Sequence, residues 1–140
     1  MLDLHQLTTP ALAYLGDCVL EMQVRHYLVC ELGLSSSSHL NHTALDFVCA
    51  PKQSEAMAKI QPYLTPEELA TYKRGRNMGH SNVPKSATVG QYRRATGMEV
   101  LFGYLYATGQ TQRIHTLFRW GYGIEEPPTL PSDTPNPNLS

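Results

Sequence analysis

Two carboxylates stand where helix patterning otherwise places apolar side chains. Asp17 lies in the run Leu15-Gly16-Asp17-Cys18-Val19-Leu20, and Glu99 in Gly97-Met98-Glu99-Val100-Leu101-Phe102. An unpaired carboxylate buried among apolar groups is costly and tends to take up a proton rather than stay charged. Each therefore needs a cation. Two such groups on two helices suit a hard divalent ion, and Mg²⁺ above all, because it takes one or two carboxylates and fills its shell with waters and substrate phosphates. Spacing alone leaves other readings open. Asp17 and Glu21, one turn apart, could line a solvated seam, and Glu99 could pair with Arg93, Arg94 or Arg25. Gly97 costs about 1 kcal/mol relative to Ala in a helix interior, which points to close approach by another backbone or a ligand.

The second chemical feature is electrostatic. The formal net charge is −1, yet Ala70 to Met98 holds no Asp or Glu and carries Lys73, Arg74, Arg76, Lys85, Arg93 and Arg94. That stretch is +6, which leaves −7 for the rest of the chain. An ordinary solvated face mixes signs, so 29 acid-free residues read as the footprint of a polyanion. The six cations would meet phosphates, with Asn77, His80, Ser81 and Asn82 as hydrogen-bonding partners. A plain solvated basic face is the alternative. The segment matches neither GxxxxGK[ST] nor a dinucleotide fingerprint, so no nucleotide cofactor is indicated.

Other groups carry weaker signals. His39 and His42 form an HxxH without a third ligand, which suits a surface or capping role better than a metal. Ser35 to Ser38 provides a helix cap. Phe102, Tyr104, Tyr106 and Trp120 recur at helical spacing and suit a core or a subunit interface. Cys18, Cys30 and Cys49 form no CxxC pair and are expected to be reduced core residues, not a disulfide framework or a zinc knuckle.

Helices must position these groups. At 140 residues with 41% hydrophobic composition, one domain with one core is expected. Ala11 to Leu32 has apolar residues at helical spacing and reads as a buried helix. His39 to Ala50 and Pro51 to Gln61 follow, each bounded by Ser or Pro signals. Thr65-Pro66-Glu67-Glu68 is a capping-box signature for a helix to about Arg76. Asn77 to Ala87 has loop chemistry, and Thr88 to Thr108 and Gln110 to Tyr122 complete an all-α domain of six or seven helices. Residues 1–124 form this domain; residues 125–140 hold five of the ten prolines and are expected to remain a disordered tail. No run approaches the roughly 18 apolar residues of a membrane span, and the start lacks a signal peptide's basic and apolar regions. A cytoplasmic address is the expectation.

At this point the residues resemble a known family. ALAYLGDCVLEMQVR is similar to the signature helix of ribonuclease III domains, and YRRATGMEVLFGYLY to their second catalytic helix, with KRGRN in its expected place between them. The resemblance runs from about Thr9 to Trp120 and is nearest to the compact Mini-ribonuclease III branch. It implies the ribonuclease III catalytic fold as a homodimer, with Asp17 and Glu99 as catalytic residues and ligands of Mg²⁺. Ala13 and Thr96 stand at two further positions that are acidic in other ribonuclease III enzymes, a thinner shell that the compact branch shares.

The resemblance also implies an endoribonuclease that cuts double-stranded RNA and leaves 5′-phosphate and 3′-hydroxyl ends. Its biological substrate would be base-paired stems of the 23S-type ribosomal RNA precursor, whose ends it would mature. The 41 residues after Glu99 are too few for a separate double-stranded RNA-binding domain. Duplex affinity would then rest on Lys73, Arg74, Arg76, Asn77, His80, Lys85, Arg93 and Arg94. A ribosomal protein that presents the RNA is a further candidate partner. Two competing functions are a non-catalytic module that binds structured RNA and a helix-turn-helix DNA binder. Neither explains both carboxylates.

Overall fold

A computed structural model describes residues 3, 6–79 and 83–130. Its elements are α1 (Thr9–His26), α2 (Ser37–Val48), α3 (Ala50–Ile60), α4 (Pro66–Arg76), α5 (Val89–Ala107) and α6 (Thr111–Gly121). A π-helical turn, Tyr27–Glu31, extends α1, and a 3₁₀ turn, Gln61–Tyr63, extends α3. No strand occurs among the described residues, so the all-α expectation holds.

Local chemistry accounts for the starts of the helices. Thr65 and Thr88 each form a capping box, with Glu68 and Gln91 returning the bond to the cap's own amide. Thr8 and Ser36 cap α1 and α2 by accepting the Ala11 and His39 amides. Beyond the π-helical turn the chain reverses at Gly33, whose φ of 70° lies in the left-handed region open to glycine.

α5 is the central helix. It packs against α1 and α4, with α3 on a further side and α6 against α3. Glycines permit the α1–α5 crossing at backbone contact. A Cβ on Gly16 would fall 1.6 Å from the Glu99 carbonyl oxygen, and one on Gly103 would fall 2.0 Å from that of Leu12. On the α4 side, a Cβ on Gly97 would meet the Tyr72 ring at 2.6 Å. Gly97 thus marks the close approach its cost suggested, and the approaching group is α4. Around α5 the core comprises Leu20, Met57, Ile60, Tyr72, Met98, Leu101, Phe102, Leu105 and Leu117.

Buried polar groups are tied across helices. Glu68 is buried and accepts two bonds from Arg113, which also donates to the Tyr63 carbonyl. Burial works against the Glu68 charge, but Arg113 and the Thr65 amide hold its carboxyl below the usual carboxylate range. Arg119 of α6 grips Glu31 at the end of the π-helical turn and Glu125 just beyond α6.

Two expectations are corrected. Cys18, Cys30 and Cys49 are free but exposed, not core. Cys18 lies on the outer arc of α1, Cys30 in the π-helical turn, and Cys49 at the α2–α3 junction. α1 is also not buried all round. Its inner face is Leu12, Gly16, Val19, Leu20 and Val24, while Tyr14 is 87% exposed and Met22 64%. Residues 125–130 form no helix, and residues 131–140 of the expected tail lie outside the described residues. No helix among the described residues is long and apolar enough to cross a membrane.

Candidate active site

Gly16 sets the site. Because α1 crosses α5 with Gly16 on the Glu99 carbonyl, the next residue, Asp17, stands beside Glu99. The two carboxylates feel each other. Burial pushes the Glu99 carboxyl up from its ordinary 4.5 to about 8, and the Asp17 charge pushes in the same direction.

Asp17 departs from expectation in one respect: it is exposed, not sunk in apolar packing. The buried arc of α1 passes through Gly16 and Leu20, and Asp17 falls just outside it. Glu99 is half-buried. The pair therefore has one carboxylate at the crossing and one at its open rim.

Among the described residues no arginine is ion-paired with Glu99. Among the described residues the ion pairs are Arg25 with Glu21, Lys52 with Glu55, Arg113 with Glu68, and Arg119 with Glu31 and Glu125. Of the alternatives left open for Glu99, Arg25 is taken by Glu21 at 3.0 Å, and Arg94 donates to Ser54. Arg93 is exposed.

The donor set fits a divalent cation that needs few protein ligands. Two hard carboxylates stand side by side with no ion pair to either among the described residues, a donor set that Mg²⁺ can complete with water and phosphate. Ala13 offers no donor, and the Thr96 hydroxyl is spent on the Tyr92 carbonyl. Among the described residues no group of three or more His, Cys, Asp or Glu side chains could hold a metal ion. His39 and His42 are exposed on α2.

The basic segment begins at the end of α4, where Gly75 meets Gly97 and Val100 of α5 on either side of Glu99 in sequence. Lys73, Arg74 and Arg76 occupy the last turn of α4, where they also complement the negative end of its dipole. Lys73, Arg74, Asn77, Lys85 and Arg93 are exposed, while Arg76 and Arg94 are half-buried. None of the six cations is ion-paired with a carboxylate among the described residues. His80, Ser81 and Asn82 lie outside the described residues.

Sequence reasoning missed two features of this surface. One is the outward apolar face of α1, which adjoins Tyr106 of α5 around a shallow cavity lined by Leu15, Cys18, Met22 and Ile114. Its signal was present, since apolar positions wrap too far round α1 for one core-facing arc. The other is Ser54, which reaches Arg94 from 40 residues away and left no local signal.

Comparison with known proteins supplies the family. The family described as "Ribonuclease III domain" matches residues 10–110. Mini-ribonuclease 3 of Enterococcus faecalis is 42% identical over 122 residues, covering 86% of this chain and 92% of that protein. Mini-ribonuclease 3 of Clostridium tetani is 36% identical over 117 residues, covering 84% and 78%. A crystal structure of a protein from Fusobacterium nucleatum superposes with a TM-score of 0.75 at 28% identity, covering 85% of this chain and 94% of that one.

Proposed function

The chain belongs to the ribonuclease III family and is an endoribonuclease of that family whose substrate class is double-stranded RNA; on that premise we propose that Asp17 and Glu99 are its catalytic carboxylates and that they hold Mg²⁺. The observation that carries this reading is the α1–α5 crossing itself, where Gly16 on the Glu99 carbonyl brings Asp17 beside half-buried Glu99, and neither carboxylate is ion-paired among the described residues. When bound, Mg²⁺ would supply Lewis-acid activation of water and charge neutralisation at the scissile phosphate.

The chain's own residues account for the rest. Gly16 lets the two helices close so that Asp17 and Glu99 share one locus. Asp17, at the exposed rim, is the carboxylate that a docked backbone would meet first. Lys73, Arg74, Arg76, Asn77, His80, Lys85, Arg93 and Arg94 hold the duplex by its phosphates, which supplies affinity by charge and shape without reading bases. The hydrolysis leaves 5′-phosphate and 3′-hydroxyl ends.

Cutting both strands needs two sites related by a two-fold axis, which an isologous homodimer supplies. The exposed Tyr14, Cys18, Met22 and Tyr106 are the face we assign to that contact, since apolar side chains grouped outside a core mark an interaction site. The biological substrate on this reading is a base-paired stem of the large-subunit ribosomal RNA precursor in the cytoplasm, with a ribosomal protein presenting it. Residues 1–124 are the catalytic domain.

The test is to incubate the protein with a long RNA duplex, with and without Mg²⁺, and analyse the product ends. Metal-dependent cleavage to 5′-phosphate ends is expected. Binding without cleavage would leave a structured-RNA-binding module in its place.

A further inference from the structure

Arg94 is held in a way that the exposed cations of the basic segment are not. Its Nε donates to Ser54 Oγ at 2.7 Å, from α5 across to α3, and Ser54 is 3% exposed. A guanidinium carries five N–H donors in a rigid fork, and this bond uses one of them on its inner side. Both Nη groups lie beside the first turn of α5, 3.6 and 3.9 Å from where a Gly90 Cβ would stand.

Arg76 joins this arrangement from α4. Its guanidinium carbon stands over the Tyr72 ring, 5.7 Å from the centroid. Tyr72 is buried between α4 and α5, and burial raises its hydroxyl pKa while the charges of Arg76 and Arg94 both act the other way. The Tyr72 ring also packs on Gly97, one turn along α5 from Arg94, so Arg76 and Arg94 stand near the same tyrosine, and among the described residues neither is ion-paired with a carboxylate. Like charges so placed repel, and the arrangement is complementary to an anion.

We propose that Ser54 is a positioning residue for duplex binding: it locks Arg94 by Nε so that both Nη groups, together with Arg76, receive a single backbone phosphate of the RNA. The inference rests on the reading of the basic segment as RNA-facing. Lys73, Arg74, Lys85 and Arg93 are exposed and act through charge, whereas Arg94 arrives already oriented. A pre-set side chain loses less freedom on binding.

The experiment measures duplex affinity of the full chain against salt concentration without divalent ions, with thermal midpoints in parallel. Arg94→Gln should weaken binding about tenfold and reduce the log-log salt slope by a part of about 0.9, the share of the one phosphate on which Arg76 remains. Ser54→Ala should weaken binding about threefold with the slope unchanged, because the charge remains but its orientation is lost. Ser54→Ala should add nothing in the Arg94→Gln background, nor in Arg94→Lys, which keeps the charge but has no Nε.

A bond that only ties α3 to α5 would lower the thermal midpoint and leave affinity and slope at wild-type values. That result, or full additivity of the Ser54 and Arg94 effects, overturns the assignment. Should Ser54→Ala not fold, Arg94→Lys decides, since it keeps the charge and loses the Nε bond: weaker binding at an unchanged slope supports the assignment, and wild-type affinity overturns it. A wild-type slope near zero would instead remove the RNA-facing reading on which the inference stands.

Discussion

Gly16 of α1 and Glu99 of α5 meet backbone to backbone, so closely that one methyl group on Gly16 would fall 1.6 Å from the Glu99 carbonyl oxygen. The contact joins fold to chemistry. The residue after Gly16 is Asp17, and the group whose carbonyl it touches is the second carboxylate of the site. What holds α1 on α5 therefore also brings the acidic pair together.

Gly16→Ala should for that reason damage stability and cleavage together. Forcing a methyl into a packed contact costs about 1–3 kcal/mol, and more where the neighbour is backbone and cannot yield. Urea unfolding of the variant should show a loss at or above that range. A variant as stable as the wild type would mean that the two helices can separate freely.

Asp17→Asn and Glu99→Gln should each reduce cleavage by about 10²–10³-fold or more, the scale set by losing one electrostatic stabiliser of a transition state. Duplex affinity without metal should stay near wild type, because neither residue belongs to the basic surface. Paired cleavage and filter-binding assays separate the two effects. Near wild-type cleavage by either variant would clear that residue of a catalytic role.

Glu99 predicts a pH dependence of stability. Its carboxyl is raised from 4.5 to about 8, so the folded protein binds this proton more tightly than the unfolded chain does. The contribution is fully present below about pH 4.5 and is lost as pH rises to about 8. In chelator, Glu99→Gln should melt above the wild type at pH 8, with the gap closing toward pH 4.5. Adding Mg²⁺ at pH 8 should raise the wild-type midpoint and leave that of the variant unchanged. An equal gap at both pH values would contradict the raised carboxyl.

The acid-free segment sets a salt dependence. If about five phosphates are neutralised, duplex affinity should fall with a log-log slope of about −4 or steeper. Competition with a DNA duplex of the same length in the same titration would show whether the surface prefers the A-form helix and its 2′-hydroxyls.

Tyr14 tests the assembly. At 87% exposure it is the most solvent-accessible of the large apolar side chains on the outer face of α1. Tyr14→Glu should shift the protein from dimer to monomer in sedimentation and turn paired cuts into single-strand nicks. A monomeric wild type would send that face in search of another partner.

Much of the fold was legible because its signals are local. The Thr65–Glu68 and Thr88–Gln91 boxes join residues three apart, and each appears where a helix begins. Gly97 announced a close contact through its cost in a helix interior. The exposure of Asp17 was not legible, since it depends on which arc of α1 turns toward α5, and that is decided by Gly16 against a helix some 80 residues away. The cysteines misled for a related reason: small apolar residues look buried in a sequence whenever a helix has a second apolar face. Ser54 stayed hidden because its partner lies on another helix.

Arg119 fixes where the chain leaves the body. By gripping both Glu31 and Glu125, it holds the stretch after α6 against the far end of the first helix, 14 residues from Asp17 and roughly 20 Å along the axis at about 1.5 Å per residue. A fluorophore attached at Glu126 would thus sit well away from the Asp17–Glu99 pair proposed as the catalytic centre. Such a conjugate should turn over duplex at the untagged rate, giving a ready reporter for following the nuclease on its substrate.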